Sequence, residues 1–187
     1  MTFDFKNDEK FLVEILLVAY NSEKTIRDSL LSIFNQTFTN WQLVIINDGS
    51  KDKTLEITRE TCKLLSKNKF KIISFKNNKG LSLRLSEFNP NPNSLFLARI
   101  DADDIWLPHK LHRQLNYLLK DHSIIAIGSS ALTQNYNNKF DIGEIKCFIN
   151  PLINRFLLPF RNTFVHSSLI FRVSSLIKVN GYSSKYK

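Results

Sequence analysis

Three carboxylates, Asp101, Asp103 and Asp104, fall within four residues, directly behind the apolar run Leu95-Phe96-Leu97-Ala98. The run reads as a buried strand, and the acidic cluster sits where it leaves the sheet. Carboxylates packed this closely repel one another unless a positive charge sits among them. A divalent cation is the simplest such charge, because hard cations prefer carboxylate oxygens. A solvated acidic turn, or a cap for the following helix, accounts equally well for an isolated Asp-x-Asp. What decides is whether the rest of the chain brings matching chemistry to the same place.

The elements that would position such a site alternate along the chain. Val13 to Ala19 is apolar apart from Glu14, and continuous hydrophobicity suits a parallel strand buried on both faces. Tyr20-Asn21-Ser22 ends it, with Ser22 placed to cap the next helix. Ile26, Leu30, Ile33 and Phe34 give that helix one apolar face, and Asn35-Gln36-Thr37 stops it. A second strand, Trp41 to Ile46, runs into the turn Asn47-Asp48-Gly49-Ser50. Lys51 to Lys67 reads as a helix with Leu55, Thr58, Cys62 and Leu65 on one side, and Phe70 to Phe75 as a third strand. The turn Asn77 to Gly80, a helix over Leu81 to Phe88 and the loop Asn89 to Asn93 lead to the fourth strand. Pro108 suits a helix start, and Leu111, Leu115, Leu118 and Leu119 give that helix its stripe. Ile124 to Ile127 is a short fifth strand.

Strands alternating with helices predict an α/β fold with a mostly parallel sheet. Ligands of such sheets bind at the carboxyl ends of the strands. Tyr20, Asp48 and Asp101 to Asp104 all fall at those ends, so three separate turns converge on the acidic cluster. After Ser129 the pattern weakens: Ala131 to Asn150 is polar and irregular, Phe156 to Phe160 is broken by Pro159, and Leu169-Ile170-Phe171 is strand-like.

Composition narrows the function further. A length of 187 residues suits one domain. A net charge of +9 favours anionic partners, namely nucleotide phosphates or an anionic membrane surface. No basic motif interleaved with aromatics supports nucleic-acid binding, and no P-loop or dinucleotide fingerprint is present. Cys62 and Cys147 form no zinc pattern, and Cys62 fits a buried helix stripe as a free thiol. Met1 to Lys10 mixes acids and bases, unlike a signal peptide, and the run Phe11 to Tyr20 is too short to span a bilayer. These features lead us to expect a cytoplasmic protein with peripheral contact at the membrane.

The motifs taken together carry a resemblance. Ile15-Leu16-Leu17-Val18-Ala19-Tyr20-Asn21, then Asn35-Gln36-Thr37, then Asn47-Asp48-Gly49-Ser50 with Asp52 and Thr54, then Arg99-Ile100-Asp101-Ala102-Asp103-Asp104 closely resemble the family 2 glycosyltransferases. The order and spacing match over nearly the whole chain, most of all those of the subset that builds bacterial surface polysaccharides. The resemblance implies a GT-A fold, a Rossmann-like sheet flanked by helices, binding a nucleotide-diphospho-sugar together with Mg²⁺ or Mn²⁺. It implies one domain over residues 1–187, with a nucleotide-sugar-binding part at about 11–130 and an acceptor-side part at about 131–187. A UDP-sugar is the first choice of donor, and a glycan or lipid-linked molecule the acceptor.

The same resemblance assigns residues. Asp103 is the metal ligand, and Asp101 lies near ribose and metal. Asp104 either orients that pair or caps the following helix. Asp48 accepts a hydrogen bond from the base, in a turn where many relatives have Asp-Asp and this chain has Asn47-Asp48. Ala19 and Tyr20 line the base pocket, although an aromatic at a strand end also suits a core. Glu23 either contacts the nucleotide or favours a helix N-terminus. Arg84 and Arg99 are the basic residues expected to meet the diphosphate. Arg84 stands one residue earlier than in the relatives' Gly-Leu-Ser-x-x-Arg pattern. That shift rotates a helical side chain by about 100°, so the alternative is a solvent-facing Arg84. Arg99 is alternatively a counter-charge for the acidic cluster. His166, in a His-Ser-Ser resembling the subset's His-Pro-Ser, either reaches metal or diphosphate or is hydrogen-bonded at a strand start.

Inverting transfer also needs a general base for the acceptor hydroxyl. In the family it belongs to a Glu-Asp pair shortly after a Gly-Tyr motif. Here Gly181-Tyr182 is present, no Asp or Glu follows Glu144, and the last residue is Lys187. The expected base would lie beyond Lys187, so it is unassigned and the C-terminus reads as truncated. Two functions stay open: a glycosyltransferase of cell-surface polysaccharide synthesis, or an inactive nucleotide-sugar-binding remnant of one.

Overall fold

Strand β1, Val13–Ala19, pairs in parallel with β2, Trp41–Asp48, on one side and with β4, Phe96–Asp101, on the other. Both of its faces are therefore covered, which is why its sequence is continuously apolar rather than alternating. Ile15, Leu17 and Ala19 enter one core cluster, and Leu16 with Val18 the opposite one. Residues 12–65, 69–134, 142–147, 157 and 164–183 are described in this computed structural model.

Strand β3, Phe70–Phe75, pairs in parallel with β2. β5, Ala126–Ile127, and β8, Ile170–Arg172, complete a six-stranded sheet of order β3-β2-β1-β4-β8-β5. The chain winds outward from β1 through β2 to β3, then returns to place β4 on the other side of β1. That reversal opens a crevice at the carboxyl ends of β1 and β4.

Helices cover both faces. α1, Ile26–Phe34, α2, Thr54–Leu65, and α4, Lys110–Lys120, supply Ile26, Leu30, Ile33, Cys62, Leu111, Leu115 and Leu118 to one core. α3, Leu81–Glu87, and α5, Val173–Lys178, supply Leu85, Val173 and Leu176 to the other. Each such aliphatic side chain taken from water is worth about 1.5–3 kcal/mol.

Several expectations need correcting. Leu65 and Leu119 lie at the edges of their helical stripes and are exposed. Ser22 does not cap α1 with its side chain; its hydroxyl donates to the Tyr20 carbonyl. Ala131 to Asn150, read as irregular, contains β6, Ala131–Gln134, and β7, Ile142–Ile145, which pair as a two-stranded antiparallel ribbon. The strand-like run near residue 170 is β8, but it runs antiparallel between β4 and β5. Only three residues long, it carries no period that reveals direction. The apolar piece Phe156 to Phe160 lies, Leu157 apart, outside the described residues, as do Met1 to Phe11. Ser184 to Lys187, on which the expectation of a C-terminus cut short falls, lie outside them too.

Candidate active site

Alternation along the strands sets the site's geometry. Asp48 continues the face of Val44 and Ile46 on β2, and Asp101 that of Leu97 and Arg99 on β4. Both therefore project to the α3 side of the sheet, on either side of Val18. With Tyr20, Ser22, Glu23, Asp52, Gly80 and Asp103 they line one cleft of about 920 Å³. Tyr20 is 47% exposed in it, so the core alternative for this ring is excluded. Ala19 is buried in the core and is not among the residues that line the cleft.

Asp48 is the most tightly held carboxylate. It is 1% exposed, and accepts hydrogen bonds from the Lys79 and Gly80 N–H groups and from Arg84 Nε. Lys79 N–H is shared between both oxygens, which leaves room among the carboxylate's lone pairs for one further donor. Arg84 does not face solvent, contrary to the alternative drawn from its shifted position. It is 2% exposed. Its Nη1 donates to Glu87 and its Nη2 to the Asn77 carbonyl, while its guanidinium lies 3.5 Å from the Phe75 ring centre. Arg84 is not among the residues that line the cleft; its contact with the site is through Asp48.

The turn that follows Asp48 demands glycine. Gly49 has φ +72°, and a Cβ there would meet the backbone of Asn77 and Asn78 at 2.6 Å. That close approach brings the Lys79 and Gly80 N–H groups onto Asp48. Asn47 turns away from the cleft, donating to Ser74 Oγ and accepting from Ser50 N–H.

The acidic cluster is mounted rigidly from behind. Ser29 Oγ donates to the Ala102 carbonyl, and the Trp106 N–H donates to Ser32 Oγ. Gln36 donates to the Leu107 carbonyl and accepts from the Leu111 N–H, which gives the Asn35-Gln36-Thr37 stretch its physical role. Within the cluster the carboxylates differ. Asp101 accepts from Arg99 Nη2. Burial pushes the Asp101 carboxyl up from its ordinary range; the Arg99 charge opposes this, and Asp104 and Asp103 add to it. Asp104 donates its N–H to the Asp101 carbonyl, which ties the turn to the strand end. Asp103 lines the cleft and makes no hydrogen bond among the described residues.

Arg99 is 1% exposed and is a counter-charge for Asp101; its Nε and Nη1 have no hydrogen-bond partner among the described residues. His166 stands 3.4 Å from the Tyr182 hydroxyl and does not line the cleft. Burial, then the nearby Arg99 charge, holds its imidazole neutral, down to about 4. Among the described residues no group of three His, Cys, Asp or Glu side chains is placed to hold a metal by itself. The donor set nonetheless fits a cation that keeps most of its coordination for phosphate and water, since Mg²⁺ is bound through one or two carboxylates plus substrate phosphates. The cleft lining also carries Glu23, Asp48, Asp52, Asp101 and Asp103 against Lys24 alone among basic residues. A diphosphate entering it would be repelled without a cation.

What the sequence reading passed over is the work of Asp52, Ser50 and Thr54. Asp52 Oδ1 accepts from Thr54 N–H and Oγ1–H and so caps α2. The signal was available, because Asp-x-Thr before an apolar-periodic run is a capping pattern. Glu23, for its part, accepts from Lys53 N–H at the start of α2, not of α1. Among the described residues, the carboxylates lining the cleft, Glu23, Asp48, Asp52, Asp101 and Asp103, all belong to the ends of β1, β2 and β4 and the loops that follow them, and Tyr182 packs against His166.

Residues 14–179 match the family described as glycosyl transferase family 2. The chain belongs to that family. Among its glycosyl transferase relatives, an uncharacterized glycosyltransferase of Haemophilus influenzae is 33% identical over 94% of this chain and 58% of its own length. The Escherichia coli UDP-Glc:alpha-D-GlcNAc-diphosphoundecaprenol beta-1,3-glucosyltransferase WfgD is 29% identical over 94% of this chain and 74% of its own length. Similar solved structures include the mannosyltransferase PcManGT of Pyrobaculum calidifontis in complex with GDP-Man and Mn²⁺, at TM-score 0.69 and 16% identity. Another is S. aureus TarS 1–349 in complex with UDP-GlcNAc, at TM-score 0.65 and 19% identity. They cover 93% and 91% of this chain, and 48% of each neighbour is covered in turn. The fold is GT-A, an α/β sheet flanked by helices. The chain spans little more than half the length of the Haemophilus influenzae relative.

Proposed function

We propose that this chain is the donor-binding part of an inverting glycosyltransferase that moves a sugar from a nucleotide-diphospho-sugar to a glycan or lipid-linked acceptor. The observation that carries the reading is the cleft itself: the strand-end carboxylates Asp48, Asp101 and Asp103, from two turns flanking β1, line one space with Tyr20. A UDP-sugar and a lipid-linked acceptor are supported by the Escherichia coli relative, a UDP-Glc:alpha-D-GlcNAc-diphosphoundecaprenol beta-1,3-glucosyltransferase. Cell-surface polysaccharide synthesis is the process that such an acceptor serves.

In this reading Tyr20 forms a wall for the base, and Asp48 accepts one hydrogen bond from it. Asp103, with Asp101 beside it, holds Mg²⁺ or Mn²⁺. The cation's chemistry is to neutralise charge on the departing diphosphate. Arg99 orients Asp101, and Arg84 orients Asp48. His166, neutral and turned toward Tyr182, is part of the support beneath Arg99. Among the described residues no helix is long and apolar enough to cross a membrane; a peripheral contact, driven by the +9 charge, would bring the cleft to a lipid-linked acceptor.

Calorimetric titration of UDP with Mn²⁺ tests the donor reading. Binding that needs the cation and weakens at least tenfold in Asp103→Ala is expected. Absence of cation-dependent nucleotide binding would reject it. Transfer from UDP-glucose to a diphosphoundecaprenol-linked sugar tests the activity itself.

A further inference from the structure

The β1–α1 loop and the β2–α2 loop form adjacent walls of the cleft, and side chains of each satisfy the backbone of the other. Glu23 N–H donates to Asp52 Oδ2 at 3.1 Å, and Lys53 N–H donates to Glu23 Oε2 at 3.0 Å. Ser22 N–H donates to Thr54 Oγ1 at 2.7 Å, and Thr54 Oγ1–H in turn donates to Asp52 Oδ1. Asn21 N–H donates to Ser50 Oγ at 3.1 Å, while Lys51 N–H donates to Asn21 Oδ1 at 2.8 Å. Asn21 sits at φ +49°, a left-handed conformation that Asn tolerates when local hydrogen bonds hold it.

We propose that Asp52 and Glu23 form a reciprocal clasp between these loops, and that Asp52 is a positioning residue for nucleotide binding. The inference rests on the donor reading above. Its physical basis is that side chains bridge the two walls just beyond Tyr20 and Asp48. Asp52 divides its carboxylate between two tasks. Oδ1 caps α2, and Oδ2 reaches across to Glu23 N–H. Burial works to raise its pKa, but hydrogen bonds from Thr54 and Glu23 outweigh that and lower it, so the carboxylate stays charged. Releasing Oδ2 alone would loosen the β1–α1 wall at Glu23 while leaving α2 capped and the other bonds between the loops in place.

Asp52→Asn does this. The amide keeps an oxygen for Thr54, and Asn caps helices as well as Asp. Its NH₂ then faces Glu23 N–H, donor against donor. Two measurements follow. Hydrogen exchange in the absence of ligand is expected to quicken roughly tenfold at the amides of Ser22 and Glu23, with α2 amides unchanged. The Kd of UDP with Mn²⁺ is expected to rise roughly tenfold. Glu23→Ala should raise it similarly, and the double variant should be no worse than either single one, because both break one clasp. Unchanged exchange at Ser22 and Glu23 would overturn the clasp. Faster exchange with unchanged UDP affinity, or additive losses in the double variant, would overturn its role in binding. A wild-type chain that does not bind UDP would instead reject the donor reading, while the exchange result still tests the clasp alone.

Discussion

Arg84 Nε lies 2.5 Å from Asp48 Oδ1, and both side chains are sealed from solvent on the α3 face of the sheet. A buried ion pair is weak evidence of stability in itself, but removing one partner strands a charge. Arg84→Leu should therefore lower unfolding free energy by about 3 kcal/mol. Arg84→Lys should recover little of it, because a single ammonium does not reproduce donation to Asp48, Glu87 and Asn77 with stacking on Phe75. Urea melts of the two variants check this.

Asp103 presents the opposite case. It is exposed and without hydrogen bonds among the described residues, so its carboxylate supports no packing. Asp103→Asn removes one of three crowded charges, and the metal-free protein should be as stable as wild type or more so, by up to about 1 kcal/mol. Cation-dependent UDP binding should fall at least tenfold in the same variant. Thermal melts paired with titrations separate the two effects.

Gly49→Ala should be severe. The added Cβ meets backbone atoms at 2.6 Å, which no side-chain rotation relieves, and φ +72° disfavours any L residue. A loss of at least about 2 kcal/mol is expected. The same change at Gly80 meets open space and is penalised only by its φ of +87°, so it should cost less. Comparing the two variants by denaturant unfolding tests whether the close approach to Asn77 and Asn78 matters beyond backbone angle.

Glu14 introduces a pH dependence far from the cleft. It is 1% exposed on β1, with Oε2 accepting from Asn91 N–H and Oε1 unpartnered among the described residues. Burial raises its carboxyl from 4.5 to about 7, against the Asn91 hydrogen bond and the charge of Lys71, which lower it. The folded state thus holds a proton that the unfolded chain has released. Stability from this group is full below about 4.5 and is lost as pH rises through about 7. His166, held neutral, works the other way and costs stability as pH falls from 6.5 toward about 4. Glu14→Gln should equal wild type near pH 4 and exceed it at pH 8 by at most about 3 kcal/mol. Unfolding free energies measured across that range give the answer directly.

The parallel half of the fold was legible because its signals are long. β1, β2 and β4 are continuous apolar runs, the helices between them carry helical periodicity, and β3 has the bounds expected from its composition. Tyr20, Asp48 and the aspartates after β4 converge as the strand ends require, with Asp101, Asp103 and Tyr20 lining one cleft. What lay beyond the sequence was contact across distance. Nothing local says that Arg84 turns inward onto Asp48, or that Glu23 serves the helix after β2 and not the one it precedes. β8 was legible as a strand, but its direction and place escaped for a related reason: three residues carry no direction, and its neighbours β4 and β5 lie far away in the chain. Asp52 was different, since its Asp-x-Thr pattern was visible and only its meaning was missed.

The position of β8 bears on how the chain folds as it is made. β4 pairs with β1 early, but its other edge stays open until Ile170–Arg172 emerges, and β5 has no partner in the sheet until then. A nascent chain therefore displays the backbone of β4 from about residue 101 onward, an edge able to recruit a strand from another molecule. Inserting a late strand between two earlier ones also requires a loop of roughly forty residues to close before any contact rewards it. Slow closure of that gap, with a risk of aggregation during it, is the kinetic signature to expect of this topology.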